Sequence, residues 1–471
     1  MLAVSMSVIL ATIDASIVNV AFPTLVEELD TSFNVIQWVA LGYLLTIATL
    51  TMGMGRLGDV VGKKTLFVAG FAIFTVASAL CGLSPDVSWL IGFRVIQGAG
   101  SVMLLALGAA IIVEAFPPTE RGRAMGWIGT AVSLGIISGP VIGGVLISSF
   151  NWRAIFLVNI PVGIIGTLIA IRYVPRTPPA PGQRFDIAGA ILMSVSLFSL
   201  SLALTLGQEA GFGSPGILTA FAVSGLSAVA FVMVELRTET PMLQLRLFKN
   251  PVLTVSVTSG FLAFVCLSAT FFLLPFYLEG VLGFDVGTVG LLLGAAPLMM
   301  GLVSPISGSL SDRFGIRRLT LFGLVLIALV YFSFSTLDVD TTPLHYLALA
   351  IPLGIGIGAF NSPNNSAIMG SVPPEYMGIG GGLLTITRLL GQITGIAVLG
   401  SIWAATVAAN SGNLLPDAGA SAASAAAQVA GLHTTFAIAG VIMVVSVVIG
   451  AWGMRHERGE RIRSSAVGVE A

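Results

Sequence analysis

Asp14 stands in ILATIDASIVNV, Ile9–Val20, a run that is otherwise apolar or weakly polar. Taking up and releasing a proton is the chemistry that a lone acid in such surroundings suits. Burial favours the neutral acid and a nearby cation favours the carboxylate, so a site poised between the two responds to changes in water access. A carboxylate at the centre of a helix in lipid costs roughly 3 kcal/mol on insertion scales, so the position needs a use. The plainer reading is a hydrogen-bonded packing device. Direct binding of a cationic solute is a third role, and it merges with the first where proton and cation displace one another. Two bases share the setting, Arg94 in LIGFRVIQGAG and Arg388 in LLTITRLLGQITG. Arg94 is the candidate cation beside Asp14, and Arg388 is a candidate cavity-lining residue of the second half. With no nucleophile–base pair and no phosphate-binding loop, the reading is not enzymatic and calls for no cofactor. Cys81 and Cys266 fall in apolar runs and the three histidines lie far apart, so packed thiols and no metal site are expected.

The elements that position these residues are membrane helices. Of the 471 residues, 56% are hydrophobic and only 9% charged, and mean hydropathy is +0.99; a soluble domain carries about 25% charge. Apolar windows long enough to span a bilayer fall near 3–25, 36–55, 65–83, 89–113, 124–147, 153–173, 187–207, 216–236, 251–277, 288–308, 318–336, 345–367, 379–404 and 431–453. The basic residues test that arrangement. With the N-terminus inside, all but three of the 21 Lys and Arg face the inner side; Arg153 lies outside, and Arg94 and Arg388 lie within spans. That is the bias of the positive-inside rule. A net charge of -1 gives no reason for a nucleic-acid partner. The first apolar run, from Met1, has no basic n-region and is read as the first span. The fold class is an all-α polytopic membrane protein.

An internal repeat divides the chain. GRLGDVVGKK, Gly55–Lys64, is echoed by GSLSDRFGIRR, Gly308–Arg318, each at the inner end of a span. Two like halves around a central cavity are a transporter plan. The expected units are a six-helix bundle over 1–173, a linker with two inserted helices over 174–236, a second bundle over 237–453 and a tail from 454. A mobile tail and an outer loop over 405–430 are expected as well. Gly55, Asp59, Gly62, Lys63 and Lys64 in one loop, with Asp312, Gly315, Arg317 and Arg318 in the other, form candidate latches for one of two conformers. On the fifth span, Gly135, Gly139 and Gly143 share one face, joined by Gly144 and by Pro140 as a kink. That face is expected to pack closely on a helix of the other half. Substrate-lining candidates are the polar and aromatic residues in the spans: Asn19, Tyr43, Gln97, Phe271, Phe272, Phe276, Tyr277, Phe360, Asn361, Asn364 and Asn365, with Arg388.

These stretches carry a resemblance. The two loops are similar to the cytoplasmic signature GxLxDxxGRK of the major facilitator superfamily, with Lys63 where Arg is usual. IDASIVNVAFP (Ile13–Pro23), QWVALGYLL (Gln37–Leu45), LIGFRVIQGAG, GIISGPVIGG (Gly135–Gly144) and NWRAIFLVNIPVG (Asn151–Gly163) resemble, in order, the motifs of its fourteen-helix drug:proton antiporters. The resemblance implies two pseudo-symmetric six-helix bundles plus two inserted helices. It also implies proton-coupled export of amphipathic small molecules, cationic ones among them, with Asp14 and Arg94 as coupling residues. Protons, a small-molecule substrate and membrane lipids would be the partners. A monomer is expected, in a bacterial plasma (inner) membrane with both termini cytoplasmic. Export or flipping of a lipid, or export of an endogenous metabolite, is the alternative on the same fold.

Overall fold

The computed structural model of the protein describes residues 1–115, 118–175, 186–238, 245–372, 377–411 and 419–467. The helices are α1 (Leu2–Glu28), α2 (Phe33–Val61), α3 (Lys63–Gly82), α4 (Val87–Ala115), α5 (Pro118–Ser149), α6 (Ala154–Leu157), α7 (Asn159–Tyr173), α8 (Ile187–Ala210), α9 (Pro215–Arg237), α10 (Pro251–Phe276), α11 (Val286–Phe314), α12 (Ile316–Phe334), α13 (Pro343–Gly370), α14 (Met377–Asn410) and α15 (Ala425–Val467). Among the described residues, 12 helical segments are long and apolar enough to cross a membrane, and α5 and α8 add the shorter apolar stretches Leu134–Ser149 and Ile187–Ala203. These follow the order of the expected spans.

Local chemistry sets the helix ends. Pro215, Pro251 and Pro343 open their helices, where the missing N–H is no loss; Asn250 and Thr342 cap the last two of these through their side chains, and Asp186 and Asp285 cap α8 and α11. The sixth span is α6 and α7 in series. Pro161 lacks the N–H that would bond the carbonyl of Leu157, so the ladder is interrupted there and Asn159 sits at the break. Two expectations for the second half change. The 405–430 connection is shorter than expected, since α14 runs to Asn410 and α15 starts at Ala425, alanine being the best helix former. The tail is helical as far as Val467, because its Glu and Arg residues are good helix formers.

The two halves repeat one packing scheme. Helix α4 packs on α2 and α3, α1 packs on α5, and α3 packs on α7; in the second half α13 packs on α11 and α12, α10 on α14, and α12 on α15. Matching glycines hold matching pairs. A Cβ on Gly100 would lie 3.0 Å from the carbonyl oxygen of Gly70, and one on Gly356 would lie 3.2 Å from that of Gly323. Small residues of this kind let helices in lipid approach backbone to backbone. The repeated loops match too. Gly62 (φ 101°) and Gly315 (φ 89°) each end a helix in a conformation open to glycine, and each N–H donates over 2.9 Å to the carbonyl four residues back.

Helices of opposite halves meet as α5 on α11, α2 on α14 and α1 on α10. At the end of the molecule where α1 joins α2 and α10 joins α11, these contacts form a seal. Phe33 stacks within 5.1 Å of Phe272, 5.2 Å of Phe276 and 4.6 Å of Trp403, and Phe22 lies 4.9 Å from Phe272, all as ring centroids. Nearby, a Cβ on Gly144 of α5 would lie 2.7 Å from the Val286 carbonyl and 3.1 Å from Gly290 Cα, both on α11. Helices α8 and α9 pack on each other, and α8 also contacts both α2 and α14.

Candidate functional site

Asp14 lies in the middle of α1 and Arg94 in the first half of α4, and the packing of the first bundle brings them together. Arg94 Nη1 donates to Asp14 Oδ2 over 2.5 Å and to Gln97 Oε1 over 2.6 Å. Gln97 Nε2 donates to Asp14 Oδ1 and to Ser78 Oγ, at 2.8 and 2.7 Å. Asn159 Nδ2, from the break in the sixth span, reaches Asp14 Oδ1 over 2.8 Å. Every partner of Asp14 is thus a donor, the set that a carboxylate accepts. Asp14 and Gln97 are 0% exposed, Arg94 is 1% and Asn159 is 2%, so the whole network is dry in this conformer.

Arg94 has partners that carry no charge. Its Nε donates to the carbonyl of Val39 over 3.1 Å, and its guanidinium carbon lies 4.0 Å from the centroid of the Tyr43 ring. Tyr43 in turn holds Ser101 through their hydroxyls at 2.8 Å. These contacts keep the cation placed whatever the charge on Asp14, and aromatic faces suit a buried guanidinium. Breaking a buried ion pair on one side only leaves an uncompensated charge, so a change at Asp14 has to be answered by movement of what surrounds it. Ala15, the next residue on α1, is exposed.

The profile of the Major Facilitator Superfamily matches residues 4–396. The chain belongs to that superfamily. Among similar proteins, the riboflavin transporter RibZ of Clostridioides difficile is 35% identical over 410 residues, covering 86% of this chain and 88% of that one. The multidrug transporter protein MdtP of Bacillus subtilis is 31% identical, over 86% of this chain and 74% of the other. The methylenomycin A resistance protein of Streptomyces coelicolor is 31% identical, over 84% and 83%. A bacterial homologue of the human lysosomal transporter Spinster, in an inward-facing and unoccupied conformation, superposes with TM-score 0.67 over 96% of both chains at 19% identity, a likeness of fold. This major facilitator protein is of the multidrug-efflux type, a multi-pass bacterial membrane transporter of small molecules and not an enzyme.

Against that fold, the other predicted residues sort by depth and side. Tyr43 and Gln97, named as cavity residues, are spent on the charge network. Asn19 is half-buried on α1. Phe272 and Phe276 belong to the seal, Phe271 beside them is half-buried, and Tyr277 donates to the Asp338 carbonyl over 2.6 Å. Phe360 and Asn361 line an apolar crevice with Ala263, Leu267, Ile327 and Tyr331, inside the second half. Asn364 is buried and donates to the Ser256 carbonyl over 3.2 Å, whereas Asn365 is exposed and Arg388 half-buried.

The glycine face of α5 turns out otherwise than expected. A Cβ on Gly135 would collide with Thr12, one on Gly139 with Ser16 and one on Gly143 with Ile17, all on α1 of the same half. Contact with the other half falls to Gly144 and the Pro140 carbonyl, against Gly290 of α11. Adjacent residues on a helix point about 100° apart, so α5 serves two neighbours with two stripes. In the latch loops, Lys64 Nζ donates to the Ile171 carbonyl over 2.8 Å, and Arg317 and Arg318 start α12. The side chains at Gly55, Asp59 and Asp312 lie outside the described residues. Asn159 and Ser78 complete the network and were not singled out from sequence. A polar residue inside an apolar window was the available signal for both.

Proposed function

We propose that this protein is a proton-coupled exporter of amphipathic small molecules, cationic ones among them, that works by alternating access. The observation that carries the proposal is the dry Asp14–Arg94–Gln97–Asn159 network, which ties α1, α4 and the sixth span through one titratable acid. A proton on Asp14 Oδ1 removes the counter-charge of Arg94 and makes that oxygen a hydroxyl, so Gln97 and Asn159 lose the carboxylate acceptor that they now share. Of the helices that carry these groups, α1 also contacts α10 of the other half and packs on α5, which gives protonation a route to the seal. The repeated basic loops lie on the cytoplasmic side by the positive-inside rule, so the sealed end is the outer one. In this reading the outer-closed conformer holds the acid unprotonated beside Arg94, and protons load when the outer end opens. Inward proton flow then drives the exchange, its electrical part worth about 2.3 kcal/mol per charge per 100 mV.

The likeness to the multidrug transporter protein MdtP supports export of drug-like small molecules. The test is transport by purified protein in liposomes with an imposed pH gradient, using cationic dyes, antiseptics and lipids as candidates. Asp14→Asn is expected to abolish uphill transport while the protein remains folded; retained uphill transport would refute proton coupling through this residue. A second reading, transport of an endogenous metabolite, draws on the likeness to the riboflavin transporter. Riboflavin therefore belongs among the tested solutes, and its saturable movement with no response to dyes would favour that reading.

A further inference from the structure

Gln37 lies one turn into α2, on the face that carries Phe33. It is 0% exposed, and among the described residues neither its amide oxygen nor its amide nitrogen has a hydrogen-bond partner. What it meets is α14 of the other half. A Cβ on Gly400 would lie 3.5 Å from its Oε1 and 3.6 Å from its Nε2, and three residues on, Trp403 packs against Phe33. A full amide is thus pressed between the halves within the outer seal, where apolar rings would otherwise suffice. Burying a donor and an acceptor without partners is among the costlier things a protein interior does.

We propose that Gln37 is a gating residue that goes without hydrogen bonds while the outer end is sealed and gains them from water when the halves part. It weakens the sealed conformer selectively, because its penalty disappears once α2 and α14 separate. The inference rests on the alternating-access reading above, since it assigns a cost to one of two conformers.

The experiment measures the distance between spin labels at Ser149 of α5 and Asp340 between α12 and α13, both exposed at the sealed end and on opposite halves. The native Cys81 and Cys266 are buried and leave the labels to the introduced cysteines. In liposomes, Gln37→Leu and Gln37→Met are each expected to raise the ratio of sealed to parted molecules about tenfold over wild type. An unchanged ratio, or a shift toward the parted form, overturns the proposal and leaves alternating access standing. A Leu or Met variant that no longer folds also overturns it, because an apolar chain of like size should relieve the seal. Wild-type labels that hold one distance at every pH, and also in Gly290→Leu, would sink alternating access itself and Gln37's role with it.

Discussion

A carboxylate that accepts from an arginine, a glutamine and an asparagine is worth more to its surroundings than its own charge. Asp14→Ala strips Arg94 of its counter-ion inside a dry bundle and is expected to cost about 3 kcal/mol of stability. Asp14→Asn keeps an acceptor at the same place and should cost less. Unfolding in detergent with a graded denaturant checks both, and an alanine variant as stable as wild type would contradict the network's role in holding the bundle. At this scale the sequence was informative where charge met lipid. Asp14 and Arg94 were conspicuous because neither belongs in hydrocarbon. Tyr43 and Gln97 were ambiguous for a physical reason: a polar group within a span must turn away from lipid, but it satisfies that demand equally by facing a cavity or a neighbouring helix, and for Gln97 the interhelical hydrogen bond was one of the two readings. Asn159 escaped notice because it follows WRAIF near a helix start, where asparagine is commonplace.

The glycines of α5 show how an element can be legible in type and wrong in partner. Their spacing marked a close-packing face, and the face exists, but α1 occupies it and the inter-half contact belongs to Gly144 and Gly290. Gly290→Leu is therefore expected to wedge α5 from α11 at the sealed end and to raise proton leak into substrate-free liposomes. Leak no greater than wild type would show that the aromatic cluster seals unaided. The start of α11 allows a second test. The Thr288 hydroxyl and backbone N–H donate to the Asp285 carboxylate at 2.7 and 2.9 Å, which holds that carboxyl below its ordinary value. A depressed value means that the cap stabilises the folded state above the ordinary carboxylate range and is lost as pH falls through the lowered value. Asp285→Ala should flatten the acid-side loss of stability seen on titrating the wild type. An unchanged acid limb would mean that the cap contributes nothing there.

For the whole molecule, the pairs α5–α11 and α2–α14 are the two copies of one contact, since the fold's repeat equates α5 with α14 and α2 with α11. In the alternating-access reading, rocking opens both together. Ser148 and Gly287 offer a clamp across one of them, because a Cβ on Gly287 would lie 4.0 Å from that of Ser148, within disulfide range. Ser148→Cys with Gly287→Cys is expected to stop transport on oxidation and to recover on reduction. Continued transport by the cross-linked protein would contradict rocking. The bundle plan was legible from hydropathy, basic residues and the repeated loop, because a bilayer leaves the backbone almost no alternative to helices. Which conformer the chain adopts was not, since the rings that close the seal are the kind of residue that also lines a pocket. The inserted pair, α8 and α9, breaks the likeness of the two flanks. Its α8 packs on both α2 and α14, and among the described residues no inserted helix packs in the same way on α5 and α11. An oily guest dissolved in the surrounding leaflet therefore meets a wall on one flank, and any sideways doorway from the bilayer has to be cut on the other.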